Sequence, residues 1–259
     1  MIFDKFRLDN RVAIVTGSAS GLGKEMARGL AEAGAHIVVA DINLEAAARF
    51  AEELMGQGVN ALAVQVDVTD EEQIDRMVEK VMAQYGQIDV LINNAGIGAR
   101  IEIEHMSYQD WQRVMDVNMN SVFLVSKAVG KVMIGQRRGS IINISSISGI
   151  IANVPQKHTA YNASKAGVIM ITKSMALEWA EYNIRINTIA PGYMKTEMTA
   201  SDFNENKDSH MVKTWLQMTP MHRPGTPDEL QGIALFLASD ASSYATGGVF
   251  TMDGGYTIL

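Results

Sequence analysis

VAIVTGSASGLG, residues 12–23, is the stretch that decides the fold of this 259-residue chain. Residues 12–17 form a continuous apolar run into a glycine, which is typical of a strand buried on both faces of a parallel sheet. Residues 21–34 then predict a helix, closed by Gly34. The glycines at 17, 21 and 23 let backbone amides come close to a phosphate, and the helix N-terminus adds partial positive charge. The stretch therefore predicts a strand, a turn and a helix that bind a pyrophosphate; the alternative is a tight turn without a ligand.

Six further strand-like segments follow this unit, and helical patterns separate them. They are residues 36–41, 61–67, 90–96, 139–146, 184–192 and 247–255. Strands joined by helices run parallel, and right-handed crossovers place the helices on both faces of the sheet. We therefore predict an α/β fold, a single-domain doubly wound Rossmann-like sheet of seven parallel strands over residues 1–259. Ligands of such sheets bind at the carboxyl ends of the strands, so the polar residues there are candidate site residues.

Composition excludes several classes of partner. The chain carries 22 Lys and Arg against 29 Asp and Glu, and its formal net charge of −7 comes without a basic stripe. We therefore predict neither nucleic acid nor an anionic membrane as a partner. There is no cysteine, which removes disulfides, thiolate catalysis and cysteine-bound metals, and we predict no metal site. The N-terminus lacks the apolar core of a signal peptide, and no apolar run reaches the length of a membrane span, which predicts a cytoplasmic protein.

Acidic residues close the second and third predicted strands, where the adenosine half of a dinucleotide binds in such folds. The carboxylate of Asp41 can accept hydrogen bonds from both ribose hydroxyls and would repel a 2′-phosphate, and neither Ser20 nor residues 42–44 supply a cation for one. The predicted cofactor is therefore NAD rather than NADP; the alternative is that Asp41 only caps the next helix. Asp67 is predicted to accept from the adenine amino group, and NNAG at 93–96 offers a small polar surface for the ribose.

Tyr161 and Lys165 are four residues apart on a predicted helix, so their side chains project from one face. Oxidation of an alcohol needs a base, and a free tyrosine has a pKa near about 10. Lowering that pKa to about 7 needs roughly 4 kcal/mol, which one cation at about 4 Å supplies at an effective dielectric of about 20. Ser146 is predicted to hydrogen-bond the substrate oxygen, and Asn118 to hold a water that relays protons from Lys165. The alternatives are turn formation by Ser146 and helix capping or bending by Asn118.

Together these motifs resemble the short-chain dehydrogenase/reductase family over nearly the whole chain. The matching segments are TGSASGLG at 16–23, Asp67-Val68, NNAG at 93–96, Asn118, SS at 145–146, YNASK at 161–165, PG at 191–192 and DGG at 253–255. The resemblance implies a seven-stranded sheet, usually in a tetramer, and a catalytic tetrad of Asn118, Ser146, Tyr161 and Lys165. It also implies that Thr196 contacts the nicotinamide carboxamide. The predicted cofactor-binding residues are Gly17, Ser20, Gly21, Leu22, Gly23, Asp41, Asp67, Val68, Asn94, Ala95, Gly96, Tyr161, Lys165, Pro191, Gly192 and Thr196.

The segment between Ser146 and Tyr161 carries the candidate substrate residues. It contains an Asn-x-Pro-Gln element and resembles the corresponding stretch of the family's polyol and ketose dehydrogenases. The predicted substrate contacts are Ser148, Asn153, Gln156 and His158, and ordinary loop polarity is the alternative. Methionines at 194, 198, 211, 218 and 221 predict a mobile helical lid over the substrate, at about residues 194–225.

The sequence thus predicts an NAD-dependent oxidoreductase that interconverts a small-molecule secondary alcohol and its ketone, in particular a polyol and a ketose. The alternatives are a 3-oxoacyl-thioester reductase, a gluconate-type sugar-acid dehydrogenase and a non-catalytic dinucleotide sensor. A thioester reductase would prefer NADPH and a basic cofactor pocket, which this sequence does not indicate. A sensor has no use for the pair Tyr161 and Lys165.

Two helical regions, at about residues 118–134 and 161–182, are apolar around most of their circumference. Such helices are typically buried on more than one side. We therefore expect a homotetramer that assembles through these two regions, and burial under loops of the same chain is the alternative.

Overall fold

The structure, a computed structural model, describes residues 1–200, 202–203 and 209–258 and, of Met198, only the backbone. Its centre is a seven-stranded parallel sheet in the order β3-β2-β1-β4-β5-β6-β7. The strands are β1 (Val12–Thr16), β2 (His36–Asp41), β3 (Ala61–Gln65), β4 (Val90–Asn93), β5 (Gly139–Ile144), β6 (Ile184–Pro191) and β7 (Val249–Met252). The predicted fold is confirmed. Most strands end before the predicted limit, because the polar residues that close each run already belong to the loops beyond the sheet.

Helices cover both faces of this sheet. The described α-helices are α1 (Gly21–Glu32), α2 (Leu44–Gly56), α3 (Glu71–Tyr85), α4 (Tyr108–Met115), α5 (Ser121–Gln136), α6 (Thr159–Trp179), α7 (His210–Met218) and α8 (Gln231–Ala238). The first two and α8 share one hydrophobic core with the sheet, whereas α3, α5 and α6 share the other. In β1, Ala13 and Val15 join the first core while Val12 and Ile14 join the second, which is why this strand is apolar throughout. None of the helices in the described part of the chain is long and apolar enough to cross a membrane.

The predicted helix over residues 118–134 is divided in the structure. α4 ends at Met115, a π-helical turn spans Asp116–Asn120, and α5 begins at Ser121. The turn carries Asn118 inward, where the residue is completely buried. Residues 116–120, DVNMN, alternate polar and apolar side chains, which does not distinguish a π-helical turn from an α-helix, so the sequence did not indicate the turn. π-helical turns of this kind are frequent at functional sites.

The predicted lid is only partly covered by the described residues. Between residues 194 and 225 the structure has a short 3₁₀ turn, Glu197–Thr199, and α7. Met194, Val212 and Trp215 are buried, so this region is packed on the body of the protein in this structure. Residues 201 and 204–208 and the Met198 side chain lie outside the described residues.

Candidate active site

A cavity of about 1210 Å³ opens at the carboxyl ends of the strands. Of the predicted site residues, Gly23 and Asn118 lie behind its wall. The others line it: Gly17, Ser20, Gly21, Leu22, Asp41, Asp67, Val68, Asn94, Ala95, Gly96, Ser146, Ser148, Asn153, Gln156, His158, Tyr161, Lys165, Pro191, Gly192 and Thr196. The cavity thus brings together segments that are more than a hundred residues apart in the chain.

The glycine-rich loop after β1 has a backbone that favours glycine. Gly17 and Gly21 have φ of 61° and 56°, in the left-handed region that residues with a Cβ rarely adopt. A Cβ on Gly23 would lie 2.4 Å from both the Gly17 carbonyl oxygen and Asn94 Nδ2, so α1 can approach the loop only with glycine there. The Asn94 amide donates to the carbonyls of Thr16 and Gly17, at 2.9 Å each. Asn94 therefore fastens the end of β4 to the loop.

Asp41 faces the far end of the same cavity from the end of β2. Its Oδ2 accepts from the Ala19 amide and its Oδ1 from the Asn43 amide, both at 3.0 Å. Each carboxylate oxygen keeps a further lone pair, so two more hydrogen bonds can be accepted. The N-cap of α2 is Asn43 and not Asp41, which removes the alternative interpretation of Asp41 as a helix cap. Asp67 lines the cavity nearby, and its Oδ1 accepts from Thr69 N and Oγ1.

The predicted catalytic side chains meet where β5 ends and α6 begins. Ser146 Oγ accepts from the Ser148 amide at 3.1 Å and is hydrogen-bonded to the Tyr161 phenol. The neighbouring Ser145 instead donates to the Lys165 carbonyl at 2.7 Å. This geometry leaves the Ser146 hydroxyl, the group predicted to bond the substrate oxygen, available to the cavity.

Lys165 is buried beneath Tyr161. Its Nζ donates to the Ile144 carbonyl at 2.9 Å and lies 5.7 Å from the centroid of the Tyr161 ring. Burial lowers the pKa of the Lys165 ammonium to about 8. Gly96 lies beside it, and a Cβ there would be in ordinary contact with Lys165 Nζ at 3.5 Å and in tight contact with Asn118 Oδ1 at 3.3 Å.

The pKa of Tyr161 differs from the sequence-based expectation. Burial raises the pKa of the phenol above its ordinary value, and the hydrogen bond with Ser146 offsets only part of this rise. In this structure the pKa of Tyr161 is thus shifted in the opposite direction to the expected lowering toward 7. The ammonium of the buried Lys165 donates to the Ile144 carbonyl.

Asn118 acts from behind the cavity wall. Its Oδ1 accepts from the Ile97 amide at 2.8 Å, while Nδ2 donates to the Ile97 carbonyl and to Ser164 Oγ. Both amide protons are thereby used within the protein. In this structure the side chain ties the loop after β4 to α6.

A hydrogen-bonded cluster forms the wall opposite Tyr161. The rings of Tyr193 and Trp215 are stacked at 4.3 Å between centroids. The Tyr193 hydroxyl accepts from Asn153 Nδ2 at 3.0 Å and from Gln156 Nε2 at 2.8 Å, and Trp215 Nε1 donates to Gln156 Oε1 at 2.8 Å. Ser148 Oγ donates to Asn153 Oδ1 at 3.2 Å. Three of the four predicted substrate residues are thus bonded to this wall.

Sequence reasoning missed the two aromatic residues and a charged pair beside them. Tyr193 directly follows the PG motif at the end of β6, a position that strand-end logic would have indicated. Arg100 lines the cavity and forms a two-pronged ion pair with Asp202, with Nη1 2.9 Å from Oδ1. No periodic pattern marks Arg100 or Trp215, because both lie outside the strand–helix repeat and are joined only by the folded chain.

The site defines a class of protein, and comparison with known proteins supports it. A parallel sheet with a glycine-rich loop and a Ser–Tyr–Lys cluster at its carboxyl edge defines a dinucleotide-binding oxidoreductase that acts on alcohol or ketone groups. Residues 17–257 match the family model described as enoyl-(acyl carrier protein) reductase. The chain therefore belongs to the short-chain dehydrogenase/reductase family, and the resemblance drawn from its motifs is confirmed.

Its relatives act on different substrates. It is 42% identical to galactitol 2-dehydrogenase of Rhizobium johnstonii, over 98% of this chain and 97% of that one. It is 45% identical to the 3-oxoacyl-[acyl-carrier-protein] reductase FabG of Thermotoga maritima, over 97% and 100% of the two chains. A solved gluconate 5-dehydrogenase from Burkholderia cenocepacia, in complex with NADP and tartrate, is 40% identical and superposes over both full chains with a TM-score of 0.93. The family is thereby settled, while the substrates named for relatives of similar identity differ, and the gluconate 5-dehydrogenase binds NADP.

Proposed function

We propose that this protein is an NAD-dependent dehydrogenase that interconverts a polyol and its ketose. The observation that carries the proposal is the convergence of Ser146, Tyr161 and Lys165 on the cavity that the glycine-rich loop and Asp41 also line. The loop fits a dinucleotide, because its backbone suits glycine at three positions. Gly17 and Gly21 have positive φ, and a Cβ on Gly23 would clash with its neighbours. A nicotinamide dinucleotide bound there accepts a hydride when oxidised and brings a positive charge to the cavity.

The side chains of this chain handle the proton and the oxygen. Tyr161 as phenolate takes the proton of the substrate hydroxyl, while the hydride leaves the same carbon and a ketone forms. The Ser146 hydroxyl only accepts in its hydrogen bond with the Ser148 amide, so it can still donate its proton. It donates to the substrate oxygen and stabilises the charge that develops there. Lys165 stabilises the phenolate electrostatically. Because burial raises the pKa of Tyr161, the phenolate depends on positive charge in the cavity.

Preference for NAD rests on Asp41. Its two free lone pairs suit the two ribose hydroxyls, and its charge would repel a 2′-phosphate. The nearest cations of α1, Lys24 and Arg28, both pair with Glu53 at 3.1 and 2.8 Å rather than with this edge of the cavity. The basic environment that a 2′-phosphate needs is thus weak here, although a relative of 40% identity has been solved with NADP.

The polyol class rests on the polar wall of the cavity and on the relatives. The Asn-x-Pro-Gln element holds Tyr193 and Trp215 in place, which gives an amphipathic surface suited to a carbon chain bearing hydroxyls. A sugar acid is the second candidate, because Arg100 lines the cavity and can bind a carboxylate. In this structure Asp202 occupies both prongs of that guanidinium, which favours an uncharged substrate.

The test is a screen of NAD reduction with three- to six-carbon polyols, aldonates and 3-hydroxyacyl thioesters, followed by Tyr161→Phe with the best substrate. We expect a polyol to be oxidised and the variant to lose about 10²- to 10⁴-fold in kcat/KM, the usual contribution of a general base. NADH binding, followed by nucleotide fluorescence, should change far less than kcat/KM. The fully exposed Tyr244 supplies the matched control, Tyr244→Phe, which should be as active as the parent. Activity on thioesters alone, or a fully active Tyr161→Phe, would contradict the proposal.

We also propose that copies of the chain assemble through α5 and α6. Phe123 on α5 is 51% exposed, and Met170 and Leu177 on α6 are 61% and 83% exposed. The last two are two helical turns apart, so they share one face. An exposed apolar face on two adjacent helices is the kind of surface that a second subunit covers.

A further inference from the structure

His158 has an imidazole that nothing in the described structure satisfies. The residue directly precedes α6, and neither Nδ1 nor Nε2 has a hydrogen-bond partner although both atoms are shielded from solvent. A buried polar group without a partner costs free energy. The ring lines the cavity, so the missing partner is a group that enters the cavity.

The neighbours of His158 place it beside the reaction centre. Its ring meets the Tyr161 ring edge to face, with 5.5 Å between centroids. Arg100, from the loop after β4, and Asp202 are the charged groups that act on it. Because those two pair with each other, they offer the imidazole little net charge. Burial, with a smaller contribution from Arg100, lowers the pKa of His158 to about 4, and the ring is neutral at physiological pH.

A neutral imidazole presents one donor and one acceptor, which is the complement of a hydroxyl group. Ser148, Asn153 and Gln156 use their polar atoms on one another and on the aromatic wall. His158 differs from these three, because neither of its ring nitrogens has a partner among the described residues.

We propose that His158 is a specificity-determining residue, which hydrogen-bonds the substrate hydroxyl on the carbon next to the one that reacts. This inference rests on the proposed function and makes it narrower. Tyr161 holds the reacting oxygen, and His158 packs against Tyr161, so the second hydroxyl lies one carbon away. The substrate class is then an uncharged vicinal diol within a polyol, or the α-hydroxyketone that its oxidation yields, rather than an isolated secondary alcohol.

The experiment compares two alcohols that differ in one hydroxyl, butane-2,3-diol and butan-2-ol, with the parent, His158→Leu and His158→Gln. We expect His158→Leu to lower kcat/KM for the diol about 10- to 100-fold, as for one or two lost hydrogen bonds, and to leave the mono-alcohol nearly unchanged. His158→Gln keeps a donor and an acceptor and should recover part of the loss. The exposed His105 gives the control His105→Leu, which should alter neither substrate.

Several outcomes would overturn the inference. Equal losses on both alcohols would assign His158 a structural role, and equal activity of the parent on both would show that no second hydroxyl is recognised; either leaves the proposed function intact. A parent that oxidises no polyol overturns the proposed function, and the inference with it.

Discussion

At the scale of single residues, the charge of Asp41 is the simplest feature to test. Asp41→Ala and Asp41→Asn both remove the negative charge that opposes a 2′-phosphate, and the asparagine keeps one of the two oxygens that accept from the amides of Ala19 and Asn43. We expect both variants to raise the ratio of kcat/KM with NADP to that with NAD by about 10-fold or more, since one repulsive contact near a surface is worth a few kcal/mol at most. The measurement is paired initial-rate kinetics with the two cofactors. A parent that uses both cofactors equally well would show that Asp41 does not select between them.

The ion pair of Arg100 and Asp202 makes a second prediction at this scale. Asp202 is 7% exposed and binds both prongs of the guanidinium, so Asp202→Asn would leave Arg100 without its counter-charge at the cavity wall. We expect the variant to improve kcat/KM for an aldonate relative to an uncharged polyol by about 10-fold, because a carboxylate can replace the lost partner. Asp228→Asn, at an exposed position, is the control. An unchanged ratio would mean that Arg100 does not reach the substrate.

Sequence patterns could predict the residues whose positions follow from the alternation of strands and helices. Asp41, Ser146 and Tyr161 follow strands or open a helix, so the period of the fold fixes where they lie. Arg100 comes from an irregular segment and Trp215 from α7. Their partners are about a hundred and about sixty residues away in the chain, and no local sequence pattern indicates such a pairing. The raised pKa of Tyr161 also escaped sequence reasoning, because burial depends on the whole cavity.

At the scale of elements, Gln156 couples the segment after β5 to α7. Its amide donates to the Tyr193 hydroxyl and accepts from Trp215 Nε1, so Gln156→Leu would leave the indole N–H of a buried tryptophan without its partner. We expect KM for the substrate to rise about 10-fold with a smaller change in kcat, and the free energy of unfolding to fall by about 1 to 3 kcal/mol. Steady-state kinetics and tryptophan fluorescence during denaturation measure the two effects, with exposed Gln57→Leu as control. A loss confined to kcat would instead place Gln156 in the chemical step.

The elements themselves were largely predictable, and the exceptions have a physical reason. The strands β1, β4 and β5 are buried on both faces, so most of their consecutive side chains are apolar. A helix with one face in water would instead have polar side chains on that face. The π-helical turn at Asp116–Asn120 was not predicted. Its backbone hydrogen bonds span one residue more than those of an α-helix, and the pattern of apolar residues does not record this difference. Asn118 owes its inward position and its contacts with Ile97 to that turn.

At the scale of the whole molecule, the apolar face of α5 and α6 determines whether the chain works alone. Leu177→Glu puts a charge at the most exposed point of this face, where burial against another subunit would remove the charge from water. We expect the parent to sediment as a tetramer of the 28.2 kDa chain and the variant to dissociate toward smaller species. Leu44→Glu, on α2 outside this face and also exposed, should keep the parent's assembly. Since Lys165 and Tyr161 lie on α6, loss of the interface should also lower activity in proportion to dissociation. A parent that sediments as a monomer at every concentration would contradict assembly through these helices.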